Sequence, residues 1–274
     1  MKRICKVIKF ARSTYYKYLC PRPSARKTNK EKLRETIKNV FEENKKRYGA
    51  PKIQRVLASH GIHASLKRVQ RHMAVLGLRS IVVKKYRHYS SKCLIEEHDN
   101  LLNRDFKTTV INKKWCTDIT YIHTVNDGWT YLASVMDLAS KKIIGYAYAK
   151  RMTAELAVKA VANACLNVKD TTGIILHSDL GTQYTSQIFE DELVRRNIIH
   201  SYSRKGNPYD NACIESFHSI LKKEEINHNR YYDFNIAGKA IFEYIESWYN
   251  RKRIHGSINY MTPQEYEDAA KAAA

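Results

Sequence analysis

Three successive runs at 114–124, 129–138 and 142–149 are rich in β-branched and aromatic residues, and they constrain the fold more than any other feature. Such side chains fit a pleated, half-buried surface. Asn126-Asp-Gly128 between the first two runs suits a hairpin turn. An antiparallel meander is predicted. The pattern then alternates: an alanine-rich helix from Thr153 to about 168, a short apolar strand at 173–176, a helix over 186–197, a strand at 198–201, and helices over about 211–227 and 234–250. A meander followed by alternating helices and strands implies a mixed α/β layer.

The first third of the chain follows a different rule. Residues 2–19 read as one short helix, broken by Pro21 and Pro23. A helix over about 31–46 places Leu33, Ile37, Val40 and Phe41 on one face, and Tyr48-Gly-Ala-Pro51 stops it. Pro51 can open the next helix, striped by Ile53, Val56 and Leu57. After a turn at His60-Gly61, a third helix from Ser65 buries Leu66, Val69, Met73 and Leu76. Lys67, Arg68, Gln70 and Arg71 then face outward. Three short helices with a Gly turn before a basic third helix form a helix-turn-helix pattern, whose donors suit phosphates and major-groove base edges. A plain helical bundle for protein contacts is the alternative. Charge favours DNA: residues 1–90 hold 25 Lys or Arg and four acids, a net of +21, whereas residues 91–274 hold 23 of each sign. That segregation is an electrostatic footprint for a polyanion. Lys84, Lys85 and Arg87 extend it as a linker lying along the DNA backbone.

Other classes are excluded. No apolar run approaches the roughly 20 residues of a membrane-spanning helix, and lysines interrupt the start too often for a signal peptide. Cys5, Cys20, Cys93, Cys116, Cys165 and Cys213 form no CxxC pair and no regular spacing, which fits a reducing cytoplasm.

Three acids stand in suggestive places. Asp118 lies mid-strand, where Asp is normally depleted. Asp179 follows a buried strand and precedes Gly181, at the strand tip where α/β sheets place their chemistry. Glu215 lies early on a helix with Ile214, Phe217 and Leu221 as its buried stripe and Asn211, Glu215, His218 and Lys222 on another face. Singly, these acids are explained by a structural hydrogen bond, a turn and a surface charge. Together they suggest a site for hard cations, magnesium or manganese, at one sheet edge. Asp137 has no such surroundings and is set aside.

The chain resembles the DDE transposases and retroviral-type integrases, most closely the insertion-sequence transposases of the IS-three type. The carrying residues are Trp115-x-Thr-Asp-Ile-Thr120, His177-Ser-Asp-x-Gly-x-Gln-Tyr184 and Gly206-x-x-x-Asp-Asn-Ala-x-x-Glu-Ser216, with 35 residues between Asp179 and Glu215. A basic residue seven places after the glutamate (Lys222), the ending Tyr249-Asn-x-x-Arg253-x-His255 with Pro263 and Tyr266, and Tyr48-Gly-x-x-Lys-Ile53 match as well. The resemblance implies a ribonuclease H-like catalytic fold. It implies Asp118, Asp179 and Glu215 as catalytic ligands of two Mg2+ or Mn2+ ions, with Asp118 bridging both. Two ions about 4 Å apart would clamp the scissile phosphate for cleavage at the element's 3′ ends and for strand transfer. Lys222 would hold DNA. His177, Gln183, Tyr184 and Asn211 either shape the pocket and position flanking DNA or brace its loops.

The expected domains are a basic arm (1–28), a helix-turn-helix DNA-binding domain (29–80), a basic linker (81–110) and the catalytic core (111–268). The expected partners are terminal inverted repeats, target DNA and further copies of the chain on that DNA, in a nucleoid-associated cytoplasmic setting without membrane. Members of the family often carry a leading helix-turn-helix and leucine zipper from an upstream frame, so the chain resembles the downstream product and an upstream-frame partner is expected. A DNA-binding regulator with a non-catalytic integrase-like domain, and a structure-specific nuclease on the same fold, remain alternatives.

Overall fold

The computed structural model describes residues 2–19, 25–82, 100–102, 105–106, 108–166, 168–204 and 208–273. The chain divides into two units, Met1–Val82 and Val83–Ala274. Lys84, Lys85 and Arg87, with most of the expected linker, lie outside the described residues.

In the first unit, residues 2–19 form two helices, α1 (Lys2–Val7) and α2 (Arg12–Leu19), rather than the single one expected; Lys9 between them takes a positive φ of 51°. Helix α3 (Ala25–Glu43) buries Leu33, Ile37, Val40 and Phe41, as its apolar spacing requires. It ends before the expected stop at Tyr48. Lys45 and Lys46 adopt φ of 50° and 60°, Asn44 Nδ2 donates to the Val40 carbonyl at 2.7 Å, and Tyr48 turns into the core. Pro51 opens α4 (Ala50–Ser59), which buries Ile53 and Leu57, and Gly61 at φ 75° makes the turn. Ser65 Oγ accepts from Arg68 N and caps α5 (Leu66–Val75).

The stripe of α5 differs from expectation at two positions. Leu66, in the first turn, is 37% exposed, and Leu76 lies just past the helix and is half-buried, whereas His72 is buried beside Val69 and Met73. Arg34 Nε from α3 donates to His72 Nδ1 at 3.3 Å. Burial and then the positive charges of Arg34, Arg68, Lys30 and Arg71 hold the imidazole below its usual range, so it packs as a neutral ring. Lys67, Arg68, Gln70 and Arg71 are all exposed.

The second unit is the mixed α/β layer. Strands β1 (Lys114–Thr124), β2 (Gly128–Asp137) and β3 (Ile143–Ala149) form the antiparallel meander, with Gly128 at φ 70° after the hairpin turn. Helix α6 (Ala154–Cys165) follows, then β4 (Ile175–Ser178), α7 (Gln187–Arg195) and β5 (Ile199–Tyr202). The sheet order is β3-β2-β1-β4-β5, with β4 parallel to β1 and to β5. This is a ribonuclease H-like sheet, and β1 lies at its centre.

Helix α6 lies close on β3 because a Cβ on Gly145 would stand 2.3 Å from Ala164 N; only glycine permits that approach. Trp115, Val135, Ala147 and Leu176 meet Ala157, Ala160, Val161 and Ala164 of α6 and Phe189 and Leu193 of α7 in one core. Side chains alternate along β1, so Cys116 and Asp118 face the other side. There lies α8 (Ala212–Glu224), with Ile214, Phe217 and Leu221 fully buried. The chain closes with α9 (Phe234–Phe242), a wider-turned continuation over Glu243–Tyr249, and α10 (Pro263–Ala272), capped reciprocally by Thr262 and Glu265.

Strand β4 runs two residues beyond its expected end. Its extra residues, His177 and Ser178, are polar and fully buried. Their partners lie on or beside β5: His177 Nδ1 pairs with Ser201 Oγ at 2.9 Å and Nε2 with Ser203 Oγ at 3.0 Å, while Ser178 Oγ pairs with His200 Nε2 at 2.9 Å. Buried polar groups so satisfied can continue a strand that an apolar pattern alone would end. Among the described residues no helix is long and apolar enough to cross a membrane, and Cys5, Cys116, Cys165 and Cys213 are free thiols.

Candidate active site

The site begins where β1 loses a neighbour. Strand β4 pairs with β1 only at Lys114↔Ile175, Trp115↔Leu176 and Cys116↔His177. Carried two residues further, that parallel register brings Asp118 level with Asp179, just past the last paired residues. Asp118 is 21% exposed; its Oδ1 accepts from Ile119 N at 2.8 Å. Asp179 Oδ1 accepts from Gly181 N at 3.0 Å. Burial and then the charge of Asp118 hold the Asp179 carboxyl above its ordinary range, while the Gly181 bond partly offsets both. Two carboxylates thus repel one another at a half-buried sheet edge, an arrangement that a divalent cation would relieve.

Helix α8 is tied across the free edge of β1. Asn211, at its N-cap and buried, donates from Nδ2 to the Thr117 carbonyl at 3.1 Å. Glu215, one turn further, is exposed and lines a cleft of about 410 Å³ with Asp118, His218 and Lys222. Lys222 Nζ stands 4.1 Å from the centroid of the Tyr121 ring. Burial lowers the pKa of Lys222, and Asp118 acts in the opposite sense. The structure therefore brings Asp118, Glu215 and Lys222 around one cleft and Asp179 within electrostatic reach of Asp118. Among the described residues, no three His, Cys, Asp or Glu groups stand close enough together to hold a metal ion as they are.

The remaining expected residues stand one step back. His177 is enclosed by the two serines, and burial lowers its pKa to about 4, so it is a neutral brace between β4 and β5. Tyr184 is buried on the opposite face of β1, its hydroxyl 3.2 Å from Thr117 Oγ1. Gln183 lies in the same loop as Asp179: its Oε1 and Asp179 Oδ1 each lie 3.0 Å from where a Cβ on Gly181 would stand. Asp137 is buried and accepts from Asn112 N, Ser140 N and Ser140 Oγ, a loop anchor.

Two contributors were given no role by the sequence reading: His218, noted only as a member of the Glu215 face, and Glu224, not noted at all. His218 Nδ1 sits 3.3 Å from Asp118 Oδ2 and backs the carboxylate from α8. Its signal was available, three residues after Glu215 on the same helical face. Glu224, at the far end of α8, is buried and accepts from Arg253 Nε, Tyr244 Oη and Trp248 Nε1, each at 3.0 Å. The C-terminal Arg253 motif therefore clamps the helix that carries Glu215.

Family profiles match in three places: an HTH-like domain over residues 28–86, and an integrase core domain over 109–208 and over 196–263. The transposase for insertion sequence element IS904 of Lactococcus lactis subsp. lactis (strain IL1403) is 42% identical over 247 residues, covering 90% of this chain and 97% of that protein. Transposase InsF for insertion sequence IS3A of Escherichia coli (strain K12) is 36% identical over 271 residues, covering 98% of this chain and 94% of that protein. A solved HTLV-2 integrase catalytic core domain in complex with magnesium is similar at a TM-score of 0.45 and 18% identity, covering 58% of this chain and 99% of that one. Identity of this order along nearly the full length of both transposases, with an HTH-like segment ahead of an integrase core, makes the chain a member of the IS3-type family of DDE transposases, which are polynucleotidyl transferases.

Proposed function

We propose that the chain cuts the 3′ ends of an insertion sequence and joins them to target DNA, with Asp118, Asp179 and Glu215 as the catalytic carboxylates. The observation that carries this reading is the β1–β4 register, which, carried on, sets Asp118 level with Asp179 at the free edge of β1, with Glu215 and Lys222 lining the cleft beside Asp118. All three acids offer hard oxygen donors, which fit Mg2+ or Mn2+. Two such ions would polarise the scissile phosphate and offset charge on the entering and leaving oxygens. In cleavage, the oxygen of water bonds to phosphorus and the element's 3′ oxygen leaves as a hydroxyl. In joining, that 3′ hydroxyl oxygen bonds to a target phosphorus, and a target 3′ oxygen leaves.

The protein's own groups arrange this exchange. Asn211 fixes the start of α8 on β1, His218 orients Asp118, and Lys222 holds a DNA phosphate beside the carboxylates. Helix α5 reads the terminal inverted repeat through Lys67, Arg68, Gln70 and Arg71, and Lys84, Lys85 and Arg87 follow the backbone. The chain works as an oligomer on DNA, near the nucleoid and with an upstream-frame partner. Labelled oligonucleotides bearing a terminal repeat, incubated with magnesium and target duplex, test the reading. Joined product is expected; cut product alone would indicate a structure-specific nuclease, and neither would indicate a regulator.

A further inference from the structure

A second cleft, about 480 Å³, opens where β1 runs on toward the hairpin, lined by Tyr121, His123, Trp129, Lys222, Arg230 and Tyr231 among others. It is continuous with the carboxylate cleft, because Tyr121, Lys222 and Asn227 line both. Its floor is aromatic and open to solvent: Tyr121 is 56% and Trp129 55% exposed. The rings are held edge-to-face. Tyr121 and Trp129 lie 5.2 Å apart at 86°, and His123 and Trp129 5.0 Å apart at 79°. The two ring contacts hold the indole in place on the sheet. Cations flank it, with Lys222 over the Tyr121 ring and Arg230 exposed at the rim.

A fixed aromatic face beside cations suits nucleobases better than protein side chains. Every base offers a π-face, and basic groups follow its phosphate. We propose that this shelf binds a nucleobase unstacked from the DNA strand that crosses the carboxylate cleft, with the base against Trp129 and its phosphate toward Lys222 and Arg230. The inference rests on the strand-transfer reading for the strand's identity and on the cleft's geometry for its position. A paired base inside duplex DNA cannot reach such a shelf. The site therefore selects ends whose terminal nucleotides are unpaired.

The chain carries its own reporter. Of its three tryptophans, Trp115 and Trp248 are 0% and 5% exposed, so ligand-dependent quenching reports on Trp129, and Met1–Val82 contains none. In metal-free buffer, the full chain titrated with oligothymidylate should lose Trp129 fluorescence. An abasic oligodeoxyribonucleotide of the same length and a blunt duplex should leave it unchanged. Asp118→Asn should quench like the wild type, because stacking does not use the carboxylates. Trp129→Leu should raise KM for unpaired ends in strand transfer roughly 5- to 150-fold, the factor carried by one base–aromatic stack. Trp129→Phe, which keeps a ring, should restore most of it. Equal quenching by abasic and normal strands, no quenching by either, or an unchanged KM in Trp129→Leu would overturn the shelf. Base-dependent quenching in a wild-type chain that joins no DNA would leave the shelf standing and remove the catalytic reading instead.

Discussion

Replacing Arg253 should cost the catalytic unit more stability than any surface change. Glu224 is 3% and Arg253 10% exposed at the side chain, so the pair lies out of water. Arg253→Met keeps the approximate volume but removes the guanidinium bonded to Glu224. Tyr244 and Trp248 still donate, yet the carboxylate stays charged and buried without that counter-charge. Breaking such a pair from one side costs about 3–5 kcal/mol. At about 2–4 °C per kcal/mol for a unit of this size, Tm should fall by about 6–20 °C. Removing both charges, with Glu224→Leu added, should recover much of the loss, because no unpaired charge remains. Urea unfolding followed by circular dichroism, on the wild type, both single variants and the double variant, gives the coupling directly. A loss below about 1 kcal/mol for Arg253→Met, or a double variant equal to the sum of the singles, would refute the clamp.

Asp179→Asn should abolish activity yet stabilise the metal-free protein by about 0.5–2 kcal/mol at neutral pH. The folded-state pKa of Asp179 is raised, so the wild type loses stability as pH climbs from the unfolded value through the folded one. The gain in thermal scans should therefore vanish below the unfolded value, and a gain that persists there would contradict the cause assigned. Lys222→Ala should slow strand transfer roughly 10- to 100-fold, as expected when one charge-assisted hydrogen bond to phosphate is removed; a loss as complete as that of Glu215 would indicate a direct chemical role. Changing Lys67, Arg68 and Arg71 together to Ala should flatten the log–log salt dependence of binding by about 0.9 for each phosphate no longer neutralised. If α5 also reads bases, the triple variant should discriminate the terminal repeat from random duplex less well, and equal weakening on both would assign those residues to the backbone alone.

The meander was legible because β-branched and aromatic residues fill all three strands and Asn126-Asp-Gly128 marks the turn. The ends of elements were not. Strand β4 continues through His177 and Ser178, which are strand residues only because Ser201, Ser203 and His200 satisfy them across the sheet. Helix α3 stops at lysines in a left-handed conformation that no lysine advertises in sequence. Motif spacing singled out Asp118, Asp179 and Glu215, and with them Asn211, while helical spacing put His218 on the Glu215 face; the contacts through which these residues and Glu224 support the acids were not legible. Asn211, His218 and Glu224 act through tertiary contacts to Thr117, Asp118 and Arg253 respectively, and these join residues 29 to 100 positions apart. In the same way, His72 is buried although an apolar stripe passes over it, and Arg34, on another helix, offers its ring a hydrogen bond.

The central claim is that three carboxylates on β1, after β4 and on α8 serve one reaction. Its most direct test is strand transfer with magnesium by Asp118→Asn, Asp179→Asn and Glu215→Gln, each also measured for binding to terminal-repeat DNA. The isosteres keep shape and remove the anionic ligand, so all three should bind DNA at near wild-type affinity and produce no joined strand. Near-normal joining by any one of them would remove that residue from the site and contradict the account.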